Sequence, residues 1–500
     1  MLSVSAVGSG LPSRARALAV EFVLSLCEAA PAMVKAEVGG AEVARLAWPV
    51  LGELISRGFD SADQAAWVEA AALSATGGDD EADDGEVEIA VAREAAHRLS
   101  SALGGQSVCP ALLQVVEQLS AKGGDGGGAL HGAVVLVAWA AGNCVDELRP
   151  HAPQLFALAE HAGAHAHARV RWAAADALAH LCDAFPLLVA DASALGPAAV
   201  RGVLAALGDA ELAVCRHGAD ALVALCEALG GTEHEAIAAL GAESPPLLAP
   251  AVPQLLHGLG RLLDAGVPAR AQDAAVDAIG ALAKATLGDA FAQHAPALLR
   301  ALVARIGALA QPADVPSRAK AIEAAGAVAA ASLSCALTDG YALLESLVQL
   351  LGTLPAGADG VDAELVKATH GAWAHVARAV GADFEPRLLA ALLPRLLAGA
   401  STAIEVNTHE LTDDEAAEHE EALEHGGGEE EDDDDDTGDG GCGWLTQVIK
   451  SPSGAPLLQQ QPSFAAARAC ARRAWPLPCM RAVRPAGPAA LPAAPTARWR

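Results

Sequence analysis

The sequence predicts an all-α solenoid, a stack of helical pairs, on three observations. The first is composition: 53% of the 500 residues are hydrophobic but only 3% are aromatic. Ala, Leu, Val and Gly carry that apolar content, which favours helices packed through small side chains over a β-sandwich built from β-branched and aromatic residues. The second is the stretch Arg169 to Phe185, RVRWAAADALAHLCDAF. On a helical period, Val170, Ala174, Ala177, Leu178 and Leu181 form one apolar stripe, with Trp172, Asp176, Ala179 and Asp183 on the opposite side. Small residues on the buried side let a neighbouring helix approach closely. The third is that this helix recurs.

With Ala177-Leu178 as the reference, the equivalent pairs are Leu136-Val137, Ala221-Leu222, Ala278-Ile279, Ala324-Ala325 and Ala372-Trp373. The successive spacings are 41, 44, 57, 46 and 48 residues. Periods of about 40 to 47 residues belong to HEAT-type helical hairpins. The long step holds an extra segment, Gly230 to Pro250, read as an insertion or an extended inner helix. Outer helices are expected at 149–162, 195–207, 248–264, 290–309 and 341–354, with Pro153, Pro197, Pro253 and Pro296 near their first turns. The predicted fold is therefore a HEAT-repeat α-solenoid, an armadillo-like superhelix of seven to nine helical pairs, with a disordered acidic loop and a disordered C-terminal tail.

In chain order, 15–38 reads as an amphipathic helix with a kink or turn at Pro31, and 41–57 as its partner. Gly77 to Glu88 is an acidic loop, a new helix begins at Val91, another spans Val108 to Ser120, and Gly123 to Gly128 is a glycine-rich connector. Residues 1–120 thus hold HEAT-like repeats with the acidic loop 77–88, and 129–400 hold the regular repeats. After Ala400 the pattern fails: 401–441 is an acidic disordered linker containing EEEDDDDD. Residues 442–450, CGWLTQVIK, briefly resume ordered-looking sequence. The last fifty residues, 451–500, carry nine prolines, seven arginines and no acid, and read as a disordered tail.

The chain has 62 acidic against 32 basic residues, a net charge of −30 and a pI near 4.8. That balance disfavours nucleic-acid phosphates and favours basic protein segments as partners. The cysteines sit in apolar helical patterns without a CxxC pair, as expected of reduced core thiols in a cytosolic or nuclear protein. The N-terminus lacks a secretory h-region, and no apolar run reaches membrane-spanning length, so no membrane insertion is expected.

No phosphate loop, HExxH motif or nucleophile elbow is present, and the chain is expected to be no enzyme, with no cofactor and no metal site. His161, His165 and His167 (HAGAHAH) fall in a turn between two helices, where a solvated turn is the favoured reading over metal ligation. The repeat register is more informative. Asp176 faces away from the apolar stripe, and the equivalent positions on the next three inner helices are Asp220, Asp277 and Glu323. Four stacked helices would align these carboxylates along a concave surface, suited to an extended Lys/Arg-rich peptide. Asp183 and Glu227 extend the ladder in two repeats, Lys284 interrupts it, and Trp172 projects to the same side, either to stack on a bound lysine stem or as a half-buried groove residue. The competing reading is that any helix in so acidic a chain carries acids on its polar side. Trp373, at the Leu178 position, is expected in the core. The acidic runs 79–88 and 410–439 are read as solvated spacers, or alternatively as competitors or recruiters of basic ligands.

Several segments resemble importin-beta-type nuclear transport receptors (karyopherins beta) of the importin beta-3, or importin-5, branch. VAREAAHRLSSALGGQSV at 91–108, RVRWAAADALAHLCDAF at 169–185, 275–303, RAKAIEAAGAVAAA at 318–331 and GWLTQVIK at 443–450 are similar to stretches of that branch in the same order. The resemblance runs from about 15 to 450 and covers the family's central portion only. It implies a nuclear import receptor that binds the basic nuclear localisation signals of cargo, releases them with the GTPase Ran, contacts nucleoporins and shuttles between cytoplasm and nucleus. It also implies that the N-terminal part of the Ran site is missing. The alternative is a HEAT scaffold subunit of a multiprotein complex, such as a phosphatase scaffold, for which more uniform repeats and no long acidic loop would be expected.

Overall fold

The computed structural model describes residues 13–57, 59, 84–122, 127–191, 195–230, 247–333 (apart from 265, 287–290, 292 and 310), 347, 363–380, 409–410, 444–450 and 456–462. The chain divides into two compact units, Met1–Ala400 and Ser401–Arg500. The first is a stack of helices. It opens with α1 (Ser13–Ala29), the short α2 (Pro31–Glu37) and α3 (Gly40–Arg57), followed by α4 (Asp84–Leu103) and α5 (Gly105–Ala121). It continues through α6 (Gly128–Ala141), α7 (Ala152–Gly163), α8 (Ala168–Ala184), α9 (Gly196–Leu207) and α10 (Leu212–Gly230). The last described helices are α11 (Val252–Leu262), α12 (Ala269–Ala285), α13 (Ala295–Ala308), α14 (Val315–Leu333) and α15 (Ala363–Val380).

Two rows emerge. Helices α6, α8, α10, α12, α14 and α15 pack each against the next as the inner row, while α7, α9, α11 and α13 lie beside them as the outer row. Pro153, Pro197, Pro253 and Pro296 each sit in the first turn of an outer helix, where the missing N–H costs no hydrogen bond. The expected outer helix at 341–354, apart from Leu347, and most of the Gly230–Pro250 insertion lie outside the described residues.

The inner row depends on small residues. A Cβ added to Gly326 in α14 would meet the Cα of Ala372 in α15 at 2.5 Å, and one added to Gly280 in α12 would meet the Cα of Ala324 in α14 at 3.2 Å. Backbones this close leave room for Gly and Ala alone, which is why the buried stripe is so poor in large side chains. Val170, Ala174, Ala177, Leu178 and Leu181 of α8 are all buried, as is Trp373 of α15.

The N-terminal helices depart from expectation in their pairing. α1 packs chiefly on α4 and only marginally on α3, the helix predicted to be its partner. Arg98 of α4 clamps it there, donating to Glu21 at 3.0 Å and Glu28 at 2.6 Å. α3 instead packs on α4, α5 and α6, and its fully buried Trp48 donates its indole N–H to the Val108 carbonyl of α5 at 3.1 Å. α4 begins at Asp84, seven residues before the predicted Val91, so 84–88 of the expected acidic loop are helical. Residues 77–83 lie outside the described residues.

The second unit contains β1 (His409–Glu410), β2 (Trp444–Lys450) and β3 (Pro456–Pro462) in an antiparallel sheet of order β1-β3-β2. Trp444 lies opposite Pro462 and Lys450 opposite Pro456, which makes β2 and β3 a hairpin. Disorder throughout 451–500 is therefore corrected for Pro456–Pro462. WLTQVIK is rich in strand formers, and both prolines of β3 stand at its ends, where a missing donor is tolerated. The rest of the predicted linker and tail lies outside the described residues.

The close approach at α14–α15 makes a direct prediction. Gly326→Leu should destabilise the fold by about 1–3 kcal/mol, the range for overpacking, in urea unfolding of the full chain. The exposed Gly307→Ala, with no atom within 4 Å of the added Cβ, should not.

Candidate functional site

The candidate site is the polar side of the inner row, and its geometry begins at the start of α8. His167 caps that helix, its ring Nδ1 accepting the Arg169 N–H at 3.3 Å, and His165 Nδ1 accepts the His167 N–H at 3.0 Å. His167 is buried beside Phe59, with ring centroids 4.3 Å apart. The solvated-turn reading thus fails for His167, which serves as a cap inside the core. Among the described residues no group of three His, Cys, Asp or Glu side chains is arranged to hold a metal.

Four residues after His167, Arg171 fixes α8 to the next repeat. Its Nε donates to Asp209 Oδ2 at 2.6 Å and a second nitrogen to Oδ1 at 3.0 Å, while a third reaches the carbonyls of His165 and Ala166. Asp209 also accepts the Glu211 N–H at 2.9 Å at the entry to α10. Burial raises the Asp209 pKa, but the Arg171 and backbone donors outweigh it and hold the carboxyl below its usual range. This bidentate pair sets α8 and α10 in register.

That register brings the four ladder positions together in sequence across α8, α10, α12 and α14. Each is not equally exposed, as the periodicity would have it. Asp176 keeps only 14% of its side-chain surface, because His217 of α10 lies across it at 3.7 Å. Asp220 is 44% exposed and stands 3.9 Å from the same His217 Nδ1. Burial drives the His217 pKa down to about 4; Asp176 opposes the shift, and Arg216, Arg93 and Arg270 add to it. The ring is consequently neutral at pH 7 and neutralises neither carboxylate. Burial likewise raises the Asp220 pKa, with Arg216 opposing and the neighbouring Asp176 and Asp277 adding to the rise.

The other half of the ladder is ion-paired. Lys320 of α14 donates to Asp277 of α12 at 2.6 Å, and Lys284 of α12 donates to Glu323 of α14 at 3.1 Å. Lys284, read as an interruption, is in fact the partner of a ladder residue. Asp183 and Glu227 are exposed near the C-terminal ends of α8 and α10. Trp172 is half-buried, edge-on to His217 at 4.9 Å, and packs against the core through Ala175, Ala206 and Val214.

Sequence reasoning missed four members of this surface. His217 and Lys320 both stand three residues before a ladder carboxylate, so the register itself held the signal. Arg93 and Trp139 belong to α4 and α6, N-terminal to the four helices compared. On the outer side, α7 and α9 border a cavity of about 270 Å³ lined by Phe156, Ala159, Leu178 and Gly202. Its charged rim is internally satisfied by Arg171–Asp209 and Glu160–Arg201.

Three structures of Kap121p share this architecture over nearly the whole chain. The complex with RanGTP gives a TM-score of 0.60 at 20% identity and covers 93% of this chain and 39% of that one. The complex with Pho4p gives 0.61 at 19% identity, covering 92% and 38%, and that with Nup53p gives 0.62 at 20%, covering 93% and 39%. The fold is that of a karyopherin. This chain spans less than two fifths of the length of Kap121p. No protein-family model matches the sequence, and neither does any curated protein. Among the described residues no helix of this karyopherin fold is long and apolar enough to cross a membrane.

The neutral His217 yields a pH prediction. A histidine whose folded pKa is depressed stabilises nothing when protonated: its contribution is complete above its unfolded pKa near 6.5 and is lost as pH falls toward about 4. His217→Gln should therefore gain on the wild type by up to about 1.4 kcal/mol per pH unit across that window in urea titrations. Parallel stability curves would contradict a buried neutral ring.

Proposed function

We propose that this chain is a nuclear-import-receptor-like protein that binds the basic localisation signals of cargo along its inner helices, with release promoted by Ran-GTP. The observation that carries the reading is the unbroken succession of carboxylates, Asp176, Asp220, Asp277 and Glu323, on four consecutively stacked helices. An extended peptide rises about 3.3 Å per residue, so stacked helices roughly 10 Å apart meet every third side chain. A Lys/Arg-rich segment running across the helices would place a cation at each step. Asp220, 44% exposed, is its accessible receptor, and Asp176, covered by His217, adds its charge from beneath, since their shared neighbour His217 is neutral at pH 7. At Asp277 and Glu323 the ligand exchanges places with Lys320 and Lys284. Asp183 and Glu227 extend the field at the ends of α8 and α10, and Trp172 lines the groove beside Asp176.

The karyopherin fold and the Kap121p complexes with RanGTP, Pho4p and Nup53p support this class of activity. In this reading the chain binds no nucleic acid, uses no cofactor, contacts nucleoporins and shuttles between cytoplasm and nucleus. The mechanism is multivalent and electrostatic, with no covalent step.

Titration of a labelled lysine-rich signal peptide into the full chain tests it. Asp176→Asn with Asp220→Asn should weaken binding about tenfold or more and flatten its salt dependence. Asp277→Asn with Glu323→Gln should cost less, because Lys320 and Lys284 are released at the same time. Ran loaded with GTP should displace the peptide, whereas Ran loaded with GDP should not. Unchanged affinity in the first double variant would remove the carboxylates from the binding surface.

A further inference from the structure

The N-terminal end of the carboxylate row is already occupied by a cation of the protein itself. The guanidinium carbon of Arg93 in α4 lies 4.6 Å from the ring centroid of Trp139 in α6 and 5.5 Å from that of Trp172 in α8. Both distances fall within the reach of cation–π attraction, for which Trp is the strongest partner and Arg the commonest cation. Arg93 is half-buried and, among the described residues, no carboxylate lies within ion-pair distance of it. Its charge reaches into the row nonetheless, since it helps to suppress protonation of His217. Both indoles are only partly buried, Trp139 in further ring contact with His180 at 5.5 Å and Trp172 with His217 at 4.9 Å.

Two tryptophans on successive inner helices, Trp172 one turn before Asp176 on the same helix, thus share one cation between their rings. We infer that Arg93 is a resident stand-in for a ligand side chain: it fills the Trp139–Trp172 slot in the free protein, and an incoming lysine or arginine competes with it for the two rings. The proposal rests on the reading that the inner row takes a basic segment, and it assigns a selectivity role to the slot. A short or weakly charged segment fails to displace Arg93, whereas one long enough to engage Asp176 and Asp220 at the same time gains enough to do so. Displaced, the guanidinium enters solvent, which hydrates it at little cost because no ion pair is broken. The two ligand classes admitted are an alkylammonium and a guanidinium on an extended peptide, with arginine favoured by its planar stacking on indole.

Arg93→Gln keeps most of the aliphatic stem and removes the cation, so it leaves the packing of α4 in place. Fluorescence anisotropy with the full chain and a labelled lysine-rich peptide would compare wild type, Arg93→Gln, Trp139→Leu and the double variant. Arg93→Gln should bind about three- to tenfold more tightly, the range set by vacating two indole faces. In the Trp139→Leu background the same change should give a much smaller gain, because the slot that it vacates is gone. Two results overturn the inference: affinity unchanged or weakened by Arg93→Gln, or an equal gain with and without Trp139, which would mean simple relief of charge repulsion. If wild type binds and Arg93→Gln is no tighter, the slot falls and the carboxylate row stands. If neither wild type nor Arg93→Gln binds the peptide, both fall together.

Discussion

The near-contact of successive inner helices is the constraint on which the rest of this molecule depends. Gly280 against Ala324 and Gly326 against Ala372 bring backbones as close as side chains normally approach. Such packing forgoes the burial of large hydrophobes, and the chain compensates by burying many small ones along the whole row. It also has an electrostatic consequence. Polar residues at one register position on helices this close lie near enough to shift one another's pKa, as Asp176 and Asp277 do for Asp220. The packing that builds the solenoid therefore builds the charged row as well.

A row of like charges at that spacing is unfavourable unless it is relieved. The protein relieves it in two ways. At Asp277 and Glu323 it supplies lysines from the neighbouring helix, each a half-exposed pair of modest value. Asp176 and Asp220 share a neutral imidazole, and although the charge of Arg216 acts on Asp220, burial and the adjacent acids still raise its pKa. This less relieved half is where an external cation gains most. The Arg171–Asp209 pair, by contrast, is buried, bidentate and further satisfied by backbone groups, which marks it as a register lock between repeats.

Much of this was legible in the sequence, and the failures have physical causes. Helix spacing and the small-residue stripe exposed the solenoid, because both are dictated by the period of the helix and of the repeat. The alignment of Asp176, Asp220, Asp277 and Glu323 followed from the same register. What a single register position could not reveal was its surroundings. His217 covers Asp176, and Lys320 and Lys284 neutralise two of the acids from adjacent helices; His217 and Lys320 share a register offset, but which acid each one meets is set by packing between repeats. His167 looked like a solvated turn residue because its ring packs against Phe59, more than a hundred residues earlier, a contact that local sequence does not show. The start of α4 at Asp84 was hidden because a run of acids reads as loop, although acids are favourable in the first turn of a helix.

The central claim is that a basic segment lies across the inner helices, one repeat per few residues. Photo-crosslinking tests this most directly. A lysine-rich peptide carrying a photoreactive group at successive positions would be bound to the full chain, and the crosslinked residues would be mapped by mass spectrometry. The account predicts that moving the group along the peptide moves the crosslinks in order through α8, α10, α12 and α14, near Trp172, His217, Asp273 and Lys320. Crosslinks confined to the outer groove between α7 and α9, or scattered without order along the acidic segment 410–439, would contradict it.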